Sequence, residues 1–396
     1  MIGAGVVSPA GSTVDDLWRV VHAADGTLAE VVTFPGMPDN PALVCSAANF
    51  DPAERLERHE LRRLDRSHQM AIWAADDAIA EAGDGPTADR CAVVVGIGIG
   101  AAAFHEQQFA AFSERGFRAV SPLAVPVVMP NSVAAHLSLR FGFRGPSVTV
   151  SSACASGTMA VGEALWLLRT ERADRVLVGG VDALITPSVV APFLRMEAMS
   201  TRVGDPEGSS RPFGPDRDGF VLGEGAAFLV LERSNGAAEG RGTILGYASN
   251  SDAHHVVAPA EHGVGALDCM RLALDDAVLA PADVGHVNAH GTSTQLNDRA
   301  EAEAIAKLFG PRALPVTATK GVVGHLIGAA GALEALVAIE SVRRDVVPPT
   351  ANASEVDGEI DALVDVAQAA VTPRTSVAIT NSFGFGGHNA TLVVGR

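Results

Sequence analysis

Lysine is almost missing from this chain: only Lys307 and Lys320 interrupt a basic set that is otherwise arginine, and 29 basic residues face 46 acidic ones. The net charge of −17 disfavours nonspecific attraction to nucleic acid or anionic lipid, so an acidic partner would need a local basic patch. Cysteine is scarce too. Cys45, Cys91, Cys154 and Cys269 are scattered with no C-x-x-C pair, which argues against zinc and against a disulfide framework. No apolar run approaches the roughly 18 residues of a membrane span. The opening MIGAGVVSPAGSTVDD lacks the basic flank of a signal peptide. A reducing cytoplasm is the expected location, without membrane or nucleic-acid partners.

What remains is a chain of 396 residues, 47% hydrophobic, able to bury one large core or two fused smaller ones. AVVVGIG (92–98), SVTVSSA (147–153) and RVLVGGVDAL (175–184) read as buried strands. Residues 154–170 and 326–342 read as helices buried on most faces, the pattern of an α/β layer structure. The second half echoes the first. GFVLGEGAAFLVLE (219–232) and NSFGFGGHNATLVVG (381–395) are each a glycine-rich turn running into an apolar strand. SVTVSSACASG (147–157) and LPVTATKGVVG (314–324) each carry a strand into a small-residue turn before a helix. This weak duplication places a joint near residue 240, in SNGAAEGRG, and divides the chain into halves 1–240 and 241–396.

Cys154 follows a β-branched strand and precedes a helix, so its sulfur is expected near the free amides of a helix N-terminus, which lower a thiol pKa. A free cysteine is as often an inert core residue, but Ala155, Ser156 and Gly157 leave room for a substrate. His290, in HVNAHGTST, and His325, in TKGVVGHLIGAAG, lie at turns where sites are built, although a lone histidine there is more often structural. The two lysines divide. Lys307 fits the carbonyl end of a helix before Gly310-Pro311. Lys320 lies in a glycine-rich turn where ammonium and guanidinium are not interchangeable, and it becomes a candidate for chemistry.

The blocks SSACASG, NAHGTSTQLNDRAEAEA, TKGVVGHLIGAAG and NSFGFGGHN, with DRDGFVLGEGAAFLVLE, resemble the signatures of β-ketoacyl-acyl-carrier-protein synthases, most closely the elongating type II branch. The resemblance spans the chain. It implies the thiolase-type α/β fold, two duplicated βαβαβ-like halves in an α/β/α/β/α stack, and an obligate dimer, either a homodimer or a heterodimer with a chain-length-factor-like paralogue. It also implies a decarboxylative condensation: Cys154 takes an acyl group from the phosphopantetheine of an acyl carrier protein, and His290 and His325 act on malonyl-carrier protein. No cofactor is expected beyond that carried pantetheine. The backbone N–H groups of Cys154 and Phe385 would form the oxyanion hole, with Gly384, Gly386 and Gly387 permitting the approach. Lys320 and Glu301 match a charged pair behind the histidines, while Ile99, Phe193 and Phe385 match acyl-pocket positions. Noncatalytic chain-length subunits of such heterodimers typically lack the nucleophile, and thiolases need a second cysteine near the C-terminal glycine loop.

Some positions depart from the pattern. His388 stands where many fatty-acid members have threonine, and NDRAEA replaces GDxxEA, leaving fatty-acid and polyketide pathways both open. The first residues fall inside the family's usual first strand, which implies a shortened strand or a misassigned start. For the carrier, Arg55, Arg58, His59, Arg62, Arg63 and Arg66 share one face if residues 55–66 form one helix of about 100° per residue. The resemblance assigns docking to Arg62, Arg63 and Arg118, but puts Glu197 where a basic residue is usual.

Overall fold

Strands as apolar as CAVVVG must be covered on both faces, and each of the two main sheets is flanked by helices on both sides. The computed structural model describes residues 1–37, 39–234 and 240–396. The first sheet runs Gly3–Val7, Gly225–Glu232, Arg175–Asp182, Cys91–Gly96, Ser147–Val150. Its first two pairings are antiparallel and its last two parallel. The second runs Thr243–Ser251, His388–Gly395, Val377–Gly384, His286–Asn288, Pro315–Thr317, Asp365–Val366. There too the first two pairings are antiparallel and the rest parallel. Five positions of one sheet thus repeat in the other, with one strand added. The segment that contains the expected joint lies partly outside the described residues.

Helices Ser156–Arg169 and Ala330–Arg344 pack on each other between the sheets and touch strands of both. Small residues allow this. A Cβ on Gly157 would sit 2.7 Å from the Ala332 amide nitrogen, so the two central helices meet backbone to backbone. Arg66–Ala82 covers the outer face of the first sheet, and Val264–Ala277 that of the second, completing an α/β/α/β/α stack. Among the described residues, no helix is long and apolar enough to cross a membrane.

Both central helices start later than the sequence pattern implies. The second is preceded by a short 3-10 turn, Ile327–Ala329, and Cys154 lies two residues ahead of the first. The single helix expected through residues 55–66 is absent. Arg58–Arg63 is a six-residue helix that ends at Leu64 in extended conformation, and Asp65 then caps a new helix by accepting from the Ser67 amide. Arg55 lies 3.8 Å over the Trp73 ring and pairs with Asp77, while Arg66 grips Glu224 and the Ala47 carbonyl. The six-residue basic face is therefore a correction: two of its members are held by other parts of the fold.

Candidate active site

Cys154 sits in a tight strand-to-helix turn. Ala153 takes the left-handed conformation, φ 49°, and the Ser156 hydroxyl secures the turn by accepting from the Ser152 amide at 2.8 Å and donating to the Ala153 carbonyl at 2.6 Å. The sulfur is buried and lies 3.0 Å from His325 Nε2. Backbone N–H groups of Phe385 and of Cys154 itself favour its thiolate, as does the charge of Lys320. Burial outweighs them and pushes the thiol up to about 11. The lowering expected from a helix end is thus not what acts on the sulfur: the groups that favour the thiolate are Lys320 and the Phe385 and Cys154 amides, and desolvation overcomes them.

Gly384, the last residue of the strand Val377–Gly384, explains the approach of Phe385. A Cβ on Gly384 would lie 2.7 Å from the Ser152 carbonyl oxygen and 3.2 Å from the Cys154 amide nitrogen, so only glycine lets this hairpin end reach the Cys154 turn.

His290 and His325 come from the second half and face each other edge to face, ring centroids 5.4 Å apart. The Ile327 amide donates to His325 Nδ1 at 3.3 Å, which leaves the proton of a neutral ring on Nε2, toward the sulfur. Lys320 Nζ lies 3.2 Å from His290 Nδ1, and an ammonium can only donate, so His290 also carries its proton on Nε2. Both rings are held neutral, with pKa values well below the ordinary histidine range. Burial is the main cause for each, with the Lys320 charge adding to it.

Lys320 is buried and donates to three acceptors: His290 Nδ1, the His290 carbonyl at 2.7 Å and Glu334 Oε1 at 2.5 Å. Its acidic partner is Glu334, not Glu301 as expected. Glu301 instead accepts from the amides of His290 (2.8 Å) and Gly291 (2.9 Å) and from Asn381 Nδ2 (3.2 Å). It fixes the backbone of the histidine turn, a task its place on helix Gln295–Phe309 suits, whereas Glu334 reaches Lys320 from the central helix. Burial raises both carboxyls to about 7, opposed at Glu334 by Lys320 and at Glu301 chiefly by the Gly291 and His290 amides. Glu334 escaped the sequence reading, although a lone charge within AGALEALVAI was a signal.

Cys154, His290 and His325 open onto a cavity of about 530 Å³ whose wall includes Ile99, Phe193, Phe220, Ile327, Phe383 and Phe385. Every pocket residue expected from sequence is there. Phe220 and Phe383 were not foreseen; their rings lie 5.4 Å from His325 and 5.8 Å from His290. Glu197 lies at the exposed mouth. The sulfur and two imidazoles keep their donor atoms within 4.8 Å of one another, and among the described residues they are the one compact His/Cys/carboxylate group that could hold a metal ion. Arg62, Arg63 and Arg118 are exposed outside the cavity; Arg118 lies 5.9 Å over the Phe117 ring.

A thiol, two neutral imidazoles whose ring nitrogens lie within 4.8 Å of the sulfur and of each other, and paired amides at the sulfur suit acyl transfer through a thioester. Known proteins agree with that chemistry. Residues 1–237 match the family described as "Beta-ketoacyl synthase, N-terminal domain", and residues 241–354 match its "C-terminal domain". The 3-oxoacyl-[acyl-carrier-protein] synthase 2 of Staphylococcus aureus is 38% identical over 401 residues, covering 99% of this chain and 96% of that protein. Among solved structures, a beta-ketoacyl synthase from Burkholderia phymatum superposes with a TM-score of 0.91 at 33% identity, covering 100% of this chain and 98% of the other. The ishigamide ketosynthase/chain length factor gives 0.90 at 30%, with the same coverage. The fold is the thiolase-type fold, and this chain belongs to the β-ketoacyl synthase family.

Proposed function

We propose that this condensing enzyme, an acyltransferase, loads an acyl group from an acyl carrier protein onto Cys154 and extends it with a malonyl unit on a second carrier. The sulfur attacks the thioester carbonyl, forming one C–S bond and breaking the other, and the pantetheine thiol leaves with the proton that Cys154 gives up. The developing oxyanion accepts from the Cys154 and Phe385 amides. In the second half-reaction the malonyl thioester loses carbon dioxide. The enolate oxygen accepts from Nε2–H of His290 and His325, its carbon attacks the acyl-cysteine carbonyl, and the C–S bond to Cys154 breaks, releasing the β-ketoacyl thioester on the carrier and a cysteine thiolate that takes up a proton from water. Lys320 and Glu301 act through His290, fixing its tautomer and its backbone.

The observation that carries this reading is the convergence of His325 Nε2, 3.0 Å from the sulfur, with His290 behind it. A noncatalytic chain-length subunit would have no use for it. For a partner chain, the first sheet offers a free edge at Ser147–Val150, and Phe109, Phe112, Phe117 and Leu139 are exposed nearby in sequence, from 55% to 80%. That surface supports a dimer, with a second copy or with a chain-length-factor-like paralogue, in fatty-acid or polyketide elongation. Arg62, Arg63 and Arg118 are the proposed docking residues for the carrier.

Intact mass spectrometry tests the core. Mixing with acyl-carrier protein is expected to add one acyl mass to the wild type and none to Cys154→Ala. Alanine at His290 or His325 is expected to cut carbon dioxide release from malonyl-carrier protein roughly 10²-fold or more while acylation suffers less. Acylation persisting in Cys154→Ala sinks the assignment.

A further inference from the structure

Asp182 ends the central strand of the first sheet, fully buried, and its hydrogen bonds come from backbone amides alone. Gly98 and Gly328 donate to Oδ2, each at 2.8 Å; Gly100 and Ile99 donate to Oδ1 at 3.0 and 3.3 Å. Four donors match the lone-pair sites of one ionised carboxylate. Three of them are successive amides of a single turn, and the fourth belongs to the other half of the molecule. The glycines are where the oxygen demands them: a Cβ on Gly98 would lie 2.7 Å from Oδ2, and one on Gly328 would lie 2.6 Å from it.

The two clamped segments are both walls of the acyl cavity. Ile99 is 52% exposed and lines it from the first half, and Ile327, adjacent to Gly328, lines it from the second. Ile327 also donates to His325 Nδ1, so the carboxylate ties the Ile99 turn to the segment that orients a reacting histidine. Without that tie, an isoleucine half in solvent on a glycine-flanked turn has little to hold its position.

Resting on the proposed acyl transfer at Cys154, we infer that Asp182 is a positioning residue: it ties the Ile99 turn to the Ile327–Gly328 segment and thereby sets how the cavity distinguishes long from short acyl chains. Burial raises the Asp182 carboxyl to about 6 and the four amides oppose the rise, so its charge is maintained by the same bonds that fix the turn. An amide side chain cannot replace it, because its NH₂ would face backbone donors.

The test is a double-mutant cycle on acylation of Cys154 by acetyl and octanoyl pantetheine thioesters. In Asp182→Asn the octanoyl-to-acetyl ratio of kcat/KM is expected to shift roughly tenfold, the scale of a reshaped apolar pocket. In an Ile99→Ala background the same substitution should shift it no further, because the wall it positions is gone. An unchanged ratio in a folded Asp182→Asn variant, or additive shifts in the double variant, overturns the inference. Amide hydrogen exchange on the wild type decides the matter if Asp182→Asn does not fold. Protection of the amides of residues 98–100 upholds the clamp, and fast exchange there refutes it. Wild type that accepts neither thioester would instead refute the acyl-transfer reading, leaving the exchange result to judge Asp182.

Discussion

Three acceptors surround the Lys320 ammonium in a pocket that leaves the side chain 1% exposed, and each takes one of its three protons. A guanidinium is planar and larger, so it cannot meet the His290 ring nitrogen, the His290 carbonyl and Glu334 at once. Lys320→Arg is therefore expected to lower malonyl decarboxylation roughly 10²-fold, as for a misplaced oxyanion donor, while acylation of Cys154 falls less. Full activity in a carbon-dioxide release assay would reduce Lys320 to a structural cation. Gly384 makes the complementary case for the first half-reaction. Gly384→Ala places a methyl group 3.2 Å from the Cys154 amide nitrogen, and acylation should drop by a similar roughly 10²-fold, with decarboxylation of malonyl-carrier protein less affected. A burst of acyl-enzyme as fast as wild type would contradict this. That Cys154, His290 and His325 converge was legible in the sequence because the motifs that carry them are local. The partner of Lys320 was not: ion pairing is decided by which helix packs behind the turn, and Glu334 approaches from the central layer while Glu301 is spent on amides.

The helix Arg58–Arg63 is short because Leu64 turns extended and Asp65 opens a fresh helix, and that break redistributes the basic residues. Periodicity puts five arginines and His59 on one face; the fold leaves Arg62 and Arg63 exposed and commits Arg55 to Trp73 and Arg66 to Glu224. Helical spacing cannot reveal a cap that satisfies two helices separately. The fully buried strands fared better, since runs such as AVVVG admit few other environments. The surviving patch still has consequences for an enzyme of net charge −17, for which an acidic carrier is repelled at long range. Replacing Arg62 and Arg63 together by glutamate is expected to raise the KM for carrier-bound substrate roughly tenfold or more and to leave turnover of a pantetheine thioester nearly unchanged. Equal losses on both substrates would mean damaged folding, and no loss on either would move the docking surface elsewhere.

At the scale of the whole molecule, two sets of buried groups pull stability in opposite directions with pH. His68 and His286 are lowered by burial to about 3 and about 4 from 6.5, and His290 and His325 also fall well below it. As pH drops below 6.5 the unfolded chain takes up protons that the folded chain refuses, so this contribution to stability is lost toward acid. Burial does the reverse to carboxyls: Glu301 and Glu334 rise to about 7 from 4.5, and Asp182 rises to about 6 from 3.8. Here the folded chain holds protons more tightly, so the contribution is complete below the unfolded values and is lost as pH rises through the folded ones. Between about pH 4.5 and 6 the two sets oppose each other; below the unfolded carboxyl values the remaining histidine loss is joined by that of carboxyls that arginines hold below their ordinary range, Asp174 and Glu340 among them. The unfolding temperature should therefore be nearly flat from pH 6 to 4.5 and fall steeply below about pH 4. Glu334→Gln, which deletes one of the opposing carboxyls, should tilt the flat region downward toward acid. Thermal scans across this range test both statements. A steep decline in the wild type beginning near pH 6.5 would mean that the carboxyls do not hold their protons, and that the Lys320–Glu334 pair is ionised throughout.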